Sequence, residues 1–236
     1  MAEIWSYLAR DPLIWLTLTL AAYALADWIF RRAGRSPWAN PVLISVVLIA
    51  AILLGTGTDY GTYFEGAQFV HFLLGPATVA LALPLWSSLS ELRRTALPIL
   101  AALVAGSVTV MGTAVGVAWA LGASPATLLS LIPKSTTAPV AIGIAEATGG
   151  SPTLTATLVI LTGITGAVLV TPLMNLLGLT DYRARGFAVG VAAHGIGTAR
   201  AFQVDQTAGA FASLGMGANA LLTALLAPLA AALITG

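Results

Sequence analysis

The sequence contains no cysteine, which excludes disulfides, thiolate metal sites and cysteine nucleophiles. Charge is nearly as scarce. Lys+Arg 10 and Asp+Glu 9 make up 8% of 236 residues, against roughly 25% in an average soluble domain. So few charges cannot cover a water-exposed surface, and an ordinary cytosolic enzyme is excluded. The net charge of +1 gives no electrostatic footprint for nucleic acid. Two histidines, His71 and His194, are too few for a histidine-rich metal site, and Lys134 is the only lysine. What the chain has instead is 58% hydrophobic residues and a mean hydropathy of +0.93, which also excludes disorder. Its 24 glycines and 12 prolines fit membrane helices that pack closely and break locally. The class expected is an all-α polytopic membrane protein.

Uncharged stretches at 95–133, 147–180 and 206–236 each exceed the ~20 apolar residues that cross a bilayer. Apolar stretches near 13–30, 41–54 and 68–86 raise the expectation to six spans, and two interrupted segments extend the range to 6–8. No basic region precedes the first stretch, so it is expected to be a retained span rather than a cleaved signal. Arg31, Arg32 and Arg35, then Arg93 and Arg94, then Arg183 and Arg185 are assigned to the cytoplasm by the positive-inside rule. An even number of crossings must then separate Arg94 from Arg183. Two clear spans lie there, so the apolar piece between them, 126–147, is expected to enter and leave from one side. A second interrupted piece, 186–202, would dip in from the cytoplasm. Residues 1–121 are read as scaffold spans and 122–236 as a core carrying both broken segments. Leu169, Pro172 and Leu173 recur as Leu225, Pro228 and Leu229, a weak echo of an inverted repeat. Paired interrupted segments in two halves are the sequence pointer to a transporter's midplane site.

The first interruption reads Pro133-Lys134-Ser135-Thr136-Thr137-Ala138-Pro139. Pro133 and Pro139 each remove a backbone donor and open the helix, while three hydroxyls can satisfy freed backbone groups. A helix starting just after this stretch would favour an anion at its amides, and Lys134 would add a full charge. Equally, Lys134 could snorkel at a membrane surface. The second interruption reads His194-Gly195-Ile196-Gly197-Thr198-Ala199-Arg200. Gly195 and Gly197 let the backbone leave helical geometry, Arg200 suits a carboxylate, and His194 can carry a proton. A packing role for the glycines and a buried structural role for His194 compete with that reading. Gly75-Pro76 is expected to kink the third span. Glu146 and Asp205 flank the breaks as pairing partners, coupling-proton carriers or loop ends. No nucleophile–base pair, metal-ligand spacing or phosphate loop is visible. Ser135 beside Lys134 is only superficially a serine–lysine dyad, since neighbours on a helix point apart. No enzymatic activity, cofactor or bound metal is expected.

At these stretches the sequence resembles the LrgB/CidB family of bacterial membrane proteins, which is related to part of the plastidial glycolate/glycerate transporter. The matching blocks begin at Phe72, Pro133, Gly149, Ile160, Ala193 and Gly209, in family order. The family's Val-Thr-Thr-Pro run after the serine is here Thr136-Thr137-Ala138-Pro139, and an acidic position before the Gly209 block is here Thr207-Ala208. The resemblance implies a multi-pass protein of the bacterial plasma membrane with one of two functions. One is transport of small monocarboxylates (glycolate, glycerate or pyruvate) beside an LrgA/CidA-type partner. The other is a holin- or antiholin-like role in murein hydrolase export and lysis. The residues favour transport: Lys134 or Arg200 for charge, and Ser135, Thr136, Thr137 and Thr198 for hydrogen bonds. Coupling to H+ or Na+ through His194, Glu146 or Asp205, contact with lipid, and a homodimer complete the expectation.

Overall fold

The computed structural model describes residues 11–73, 76, 80 and 96–236. Its described elements are helical, and they fall into two compact units, Met1–Ala80 and Leu81–Gly236.

In the first unit, α1 (Pro12–Arg32), α2 (Pro41–Thr56) and α3 (Tyr60–Phe72) pack together. Asp11 caps α1 by accepting from the Leu13 amide at 2.9 Å, and Pro12 sits where a missing amide costs nothing. Arg31 and Arg32 occupy the last turn, where the helix dipole favours cations. Trp15 is fully buried, edge-on to Tyr63 at 5.9 Å. Gly66 lets α3 approach α1, since a methyl there would lie 2.1 Å from the Pro12 carbonyl oxygen.

The second unit holds α4 (Ala96–Ala120), α5 (Pro125–Leu131), α6 (Ala138–Thr148), α7 (Pro152–Leu176), α8 (Tyr182–Val204) and α9 (Gln206–Thr235). Four described helices, α1, α4, α7 and α9, are long and apolar enough to cross a bilayer. The expected span at 41–54 is a 16-residue helix, shorter than a crossing needs. The expected span at 68–86 and the kink at Gly75 lie largely outside the described residues. Of that pair Pro76 alone is described. Pro172 and Pro228 both sit inside long helices, α7 and α9.

The helix α8 folds back on itself. Its backbone leaves helical geometry at Ala193 (φ −129°, ψ 17°) and His194 (φ 42°, ψ −137°). Eight residues of straight helix would separate Val189 from Gly197 by about 12 Å, yet a methyl at Gly197 would lie 2.9 Å from Val189 Cγ2. Similarly, Arg185 and Arg200, fifteen residues apart, both reach Thr171, at 3.4 and 3.5 Å. The first half runs parallel to α9, with Gly186 against Ala208 and Gly190 against Ala212; methyls there would meet carbonyl oxygens at 2.0 and 2.1 Å. The second half runs antiparallel, with Phe202 against Gly209 and Thr198 near Met216. Small residues thus replace apolar driving force with close backbone contact, as membrane packing requires. Asp181 caps α8, outside the membrane-spanning segments, and hydrogen bonds from Arg183 hold its carboxyl below the usual carboxylate range.

Candidate functional site

The two broken segments enter from opposite ends of α7. The base of the first is pinned near the start of that helix. Ser130 Oγ accepts from the Ser151 amide at 2.8 Å, and Thr155 Oγ1 donates to the Ser130 carbonyl at 3.1 Å. Gly150 backs onto Ser130, where a methyl would come within 3.0 Å of its amide nitrogen. The base of the second lies near the far end of α7, where Arg185 reaches Thr171 and Asn175.

Their tips meet in the middle. Asn219, the fourteenth residue of the thirty in α9, is 1% exposed. Its Nδ2 donates to the carbonyls of Ser135 and Val191, both at 3.1 Å. Its Oδ1 accepts from Ser107 of α4 at 2.6 Å and from Thr223 at 3.4 Å. The amide orientation follows from these partners, because two carbonyls can only accept and the Ser107 hydroxyl must donate. Val191 lies two residues before the reversal, where the helical ladder stops supplying amides. Ser135 lies in the open stretch between α5 and α6. One side chain therefore satisfies a backbone carbonyl from each break.

In the first break, the Pro133 carbonyl accepts from both the Thr136 amide and Thr136 Oγ1, each at 2.9 Å. That commits Thr136, which is fully buried, to the turn. Lys134 is half-buried, and its Nζ donates to Ser135 Oγ at 3.0 Å. The expectation that these neighbours point apart fails because this stretch is not helical. Among the described residues Lys134 forms no ion pair. Thr137 is the N-cap of α6 but makes no side-chain capping bond, and Pro139 stands within the first turn of that helix.

In the second break, His194 is buried at the tip, its Nε2 2.9 Å from the Val159 carbonyl oxygen. A carbonyl only accepts, so Nε2 carries the proton and a neutral ring leaves Nδ1 as an acceptor. Gly163 makes room for the ring; a methyl there would lie 2.7 Å from His194 Cε1. Thr198 Oγ1 donates back to the His194 carbonyl at 2.7 Å, so its proton is spent on the helix. The reversal falls at the start of the expected interruption, and the structure corrects only which residues leave helical geometry. Backbone reversal falls on Ala193 and His194, whereas Gly195 and Gly197 are helical. Gly197 is needed for contact with Val189 and Ala193 rather than for a special backbone angle.

Arg200 stands apart from the tips. It is buried and reaches Thr171, eight residues along α7 from the Gly163 beside His194, a separation of about 12 Å. The flanking carboxylates are also at the bases. Glu146 is exposed near the end of α6, and Asp205 caps α9 by accepting from Thr207 and Ala208 amides. Among the described residues no cluster of metal-ligating side chains forms.

The family model for LrgB-like proteins matches residues 19–233. The chain belongs to the LrgB-like family. Relatives include the holin-like protein CidB of Staphylococcus epidermidis, 30% identical over 92% of this chain and 95% of that one. The Staphylococcus aureus CidB matches at the same identity and coverage. The protein YxaC of Bacillus subtilis, described as uncharacterized, is 34% identical over 92% of this chain and 94% of its own. No solved structure matches. Membership and the four long apolar helices make this LrgB-like chain a multi-pass membrane protein.

The residues that sequence reasoning missed in this LrgB-like core are Asn219, Ser107, Gly163 and Val159. Asn219 and Ser107 were visible as polar residues inside uncharged spans of α9 and α4, a placement that membrane burial makes expensive.

Proposed function

We propose that this LrgB-like protein is a secondary carrier of small monocarboxylates of the glycolate, glycerate and pyruvate class, working by alternating access. The observation that carries the reading is the meeting of two half-length broken elements at one buried amide, with the only lysine of the chain beside it. Irregular backbone inside a bilayer is stable where protein or an aqueous cavity satisfies it. Carriers built from inverted repeats place such breaks at the midplane around their substrate, and the opposed bases on α7 support an inverted repeat. Lys134 supplies the charge for the carboxylate. Ser135 and Thr137 supply hydroxyls for the carboxylate and a 2-hydroxyl group, and the first amides of α6 add helix-terminal donors. Arg200 holds the base of the second hairpin to α7 rather than contacting substrate. A proton or sodium ion drives uphill transport, with His194 the coupling group nearest the tips. The chemistry is binding and movement, without a covalent step or cofactor. The working unit includes lipid contact, a second copy of the chain and an LrgA/CidA-type partner.

A second reading is a holin-like role in export of murein hydrolases and in lysis. The holin-like description of the CidB relatives favours it over the carrier reading. One experiment separates them: uptake of labelled glycolate, glycerate, pyruvate and lactate by proteoliposomes, with a fluorescent dye trapped inside. The carrier reading expects saturable uptake without dye loss, abolished in Lys134→Ala and reduced but measurable in folded Arg200→Ala. Dye leakage without selective uptake would establish the holin-like reading instead.

A further inference from the structure

Asn219 stands between elements that sequence distance keeps far apart. Its hydrogen bonds bridge 84 residues to Ser135, 28 to Val191 and 112 to Ser107. Each bond has a distinct consequence. Those to Ser135 and Val191 hold one tip each, and both acceptors are backbone carbonyls that nothing in a bilayer core would otherwise satisfy. Those from Ser107 and Thr223 orient the amide so that its two protons face the tips. With all four bonds made, and Ser107, Thr223 and Asn219 all buried, the amide is fully determined.

We infer that Asn219 is a latch that fastens the two broken elements to each other and to α4, so that neither tip moves until its own bond to this amide is released. It is a positioning residue: it touches backbone, and it acts on the proposed anion site through Ser135, whose carbonyl it holds and whose hydroxyl receives Lys134. The inference concerns the tips alone and does not require that the protein transport anything.

The absence of native cysteine makes the test clean, because every thiol signal comes from an introduced reporter. Reporters Thr137→Cys and Gly195→Cys sample the two tips; Gly195 has only Met216 Sδ, at 3.9 Å, near an added side-chain atom. Glu146→Cys, exposed on the same α6, serves as the control. Labelling rates with a membrane-permeant maleimide are measured in purified full-length protein carrying Asn219, Asn219→Asp or Asn219→Leu. Loss of the two donors is expected to raise the rate about tenfold or more at both tips and to leave the control unchanged. Unchanged rates at the tips, a rise at one tip only, or an equal rise at all three positions would overturn the latch. If the Asn219 variants do not fold, the pair Ser107→Ala and Thr223→Val in the same assay decides, with a smaller rise at both tips supporting the latch and no rise overturning it. In proteoliposomes, Asn219→Asp is expected to lower turnover about tenfold while KM moves less than about threefold. Absence of uptake by the unmodified protein would defeat the carrier reading and leave the labelling result standing.

Discussion

The two breaks solve one problem by opposite means. At 132–137 Pro133 lacks a donor and the chain stays open for several residues, so Thr136 and Asn219 must supply hydrogen bonds to the carbonyls left over. At 193–194 no proline is present, and the reversal is concentrated at two residues, Ala193 and His194, the second of which has a positive φ although it is not glycine. The open break leaves side chains available, Lys134, Ser135 and Thr137 among them. The sharp break commits its donors, Thr198 Oγ1 to its own helix and His194 Nε2 to α7. On the carrier reading proposed above, the first would receive the ligand and the second would bring a rigid wall against it.

Four tests sharpen or break that comparison, from the largest expected effect to the smallest. Gly190→Ala drives a methyl to 2.1 Å from the backbone oxygen of Ala212, which no side-chain rotation relieves. Overpacking of this kind costs ~3 kcal/mol or more, and thermal unfolding in detergent is expected to fall by about 10 °C. Gly217→Ala, which meets nothing, should leave it unchanged. Next, Gly163→Ala displaces the imidazole and should destabilise by about 2 kcal/mol. Its signature in NMR of ring-labelled histidine is loss of the Nε2 hydrogen-bond shift at His194. At the reversal itself, His194→Gly should be more stable to heat than His194→Ala by about 1 kcal/mol, because only glycine adopts φ 42°, ψ −137° without strain. The inverse order would mean that the turn is not where the backbone is stressed. In the open break, Thr136→Val removes one buried bond to Pro133 and should cost ~1 kcal/mol, without the collapse caused by Gly190→Ala.

A fifth expectation concerns pH and is the smallest. Asp181 is held low by Arg183, so its contribution is present above the carboxylate's unfolded pKa and is lost as pH falls through the lower folded value. The pair is exposed, so Asp181→Asn should change unfolding by no more than ~0.5 kcal/mol near neutral pH.

Much of this was legible in the residues. Scarce charge identified the membrane, Pro133 and Pro139 bracketed the first break, and His194 fell at the second. Misplacement of the turn onto Gly195 and Gly197 arose because glycine serves two purposes, a left-handed angle or a missing Cβ, and sequence does not say which one operates. What Asn219 and Ser107 touch was hidden for another reason. When every face of a helix is apolar, periodicity no longer marks which side meets protein. Polar residues in α4 and α9 then carry no sign of what they face. Arg200 was grouped with His194 by sequence proximity, although six residues of helix move a side chain by about 9 Å.

The central claim is that two broken elements from opposite ends of α7 share one amide near the middle of the membrane. A density map of the protein in lipid nanodiscs tests it most directly. The expected result places the Ser135 and Val191 carbonyl oxygens both near 3.1 Å from Asn219 Nδ2, at the centre of the lipid density. A map with Ser135 and Val191 on different partners, and Lys134 and His194 in water at opposite membrane faces, would contradict it.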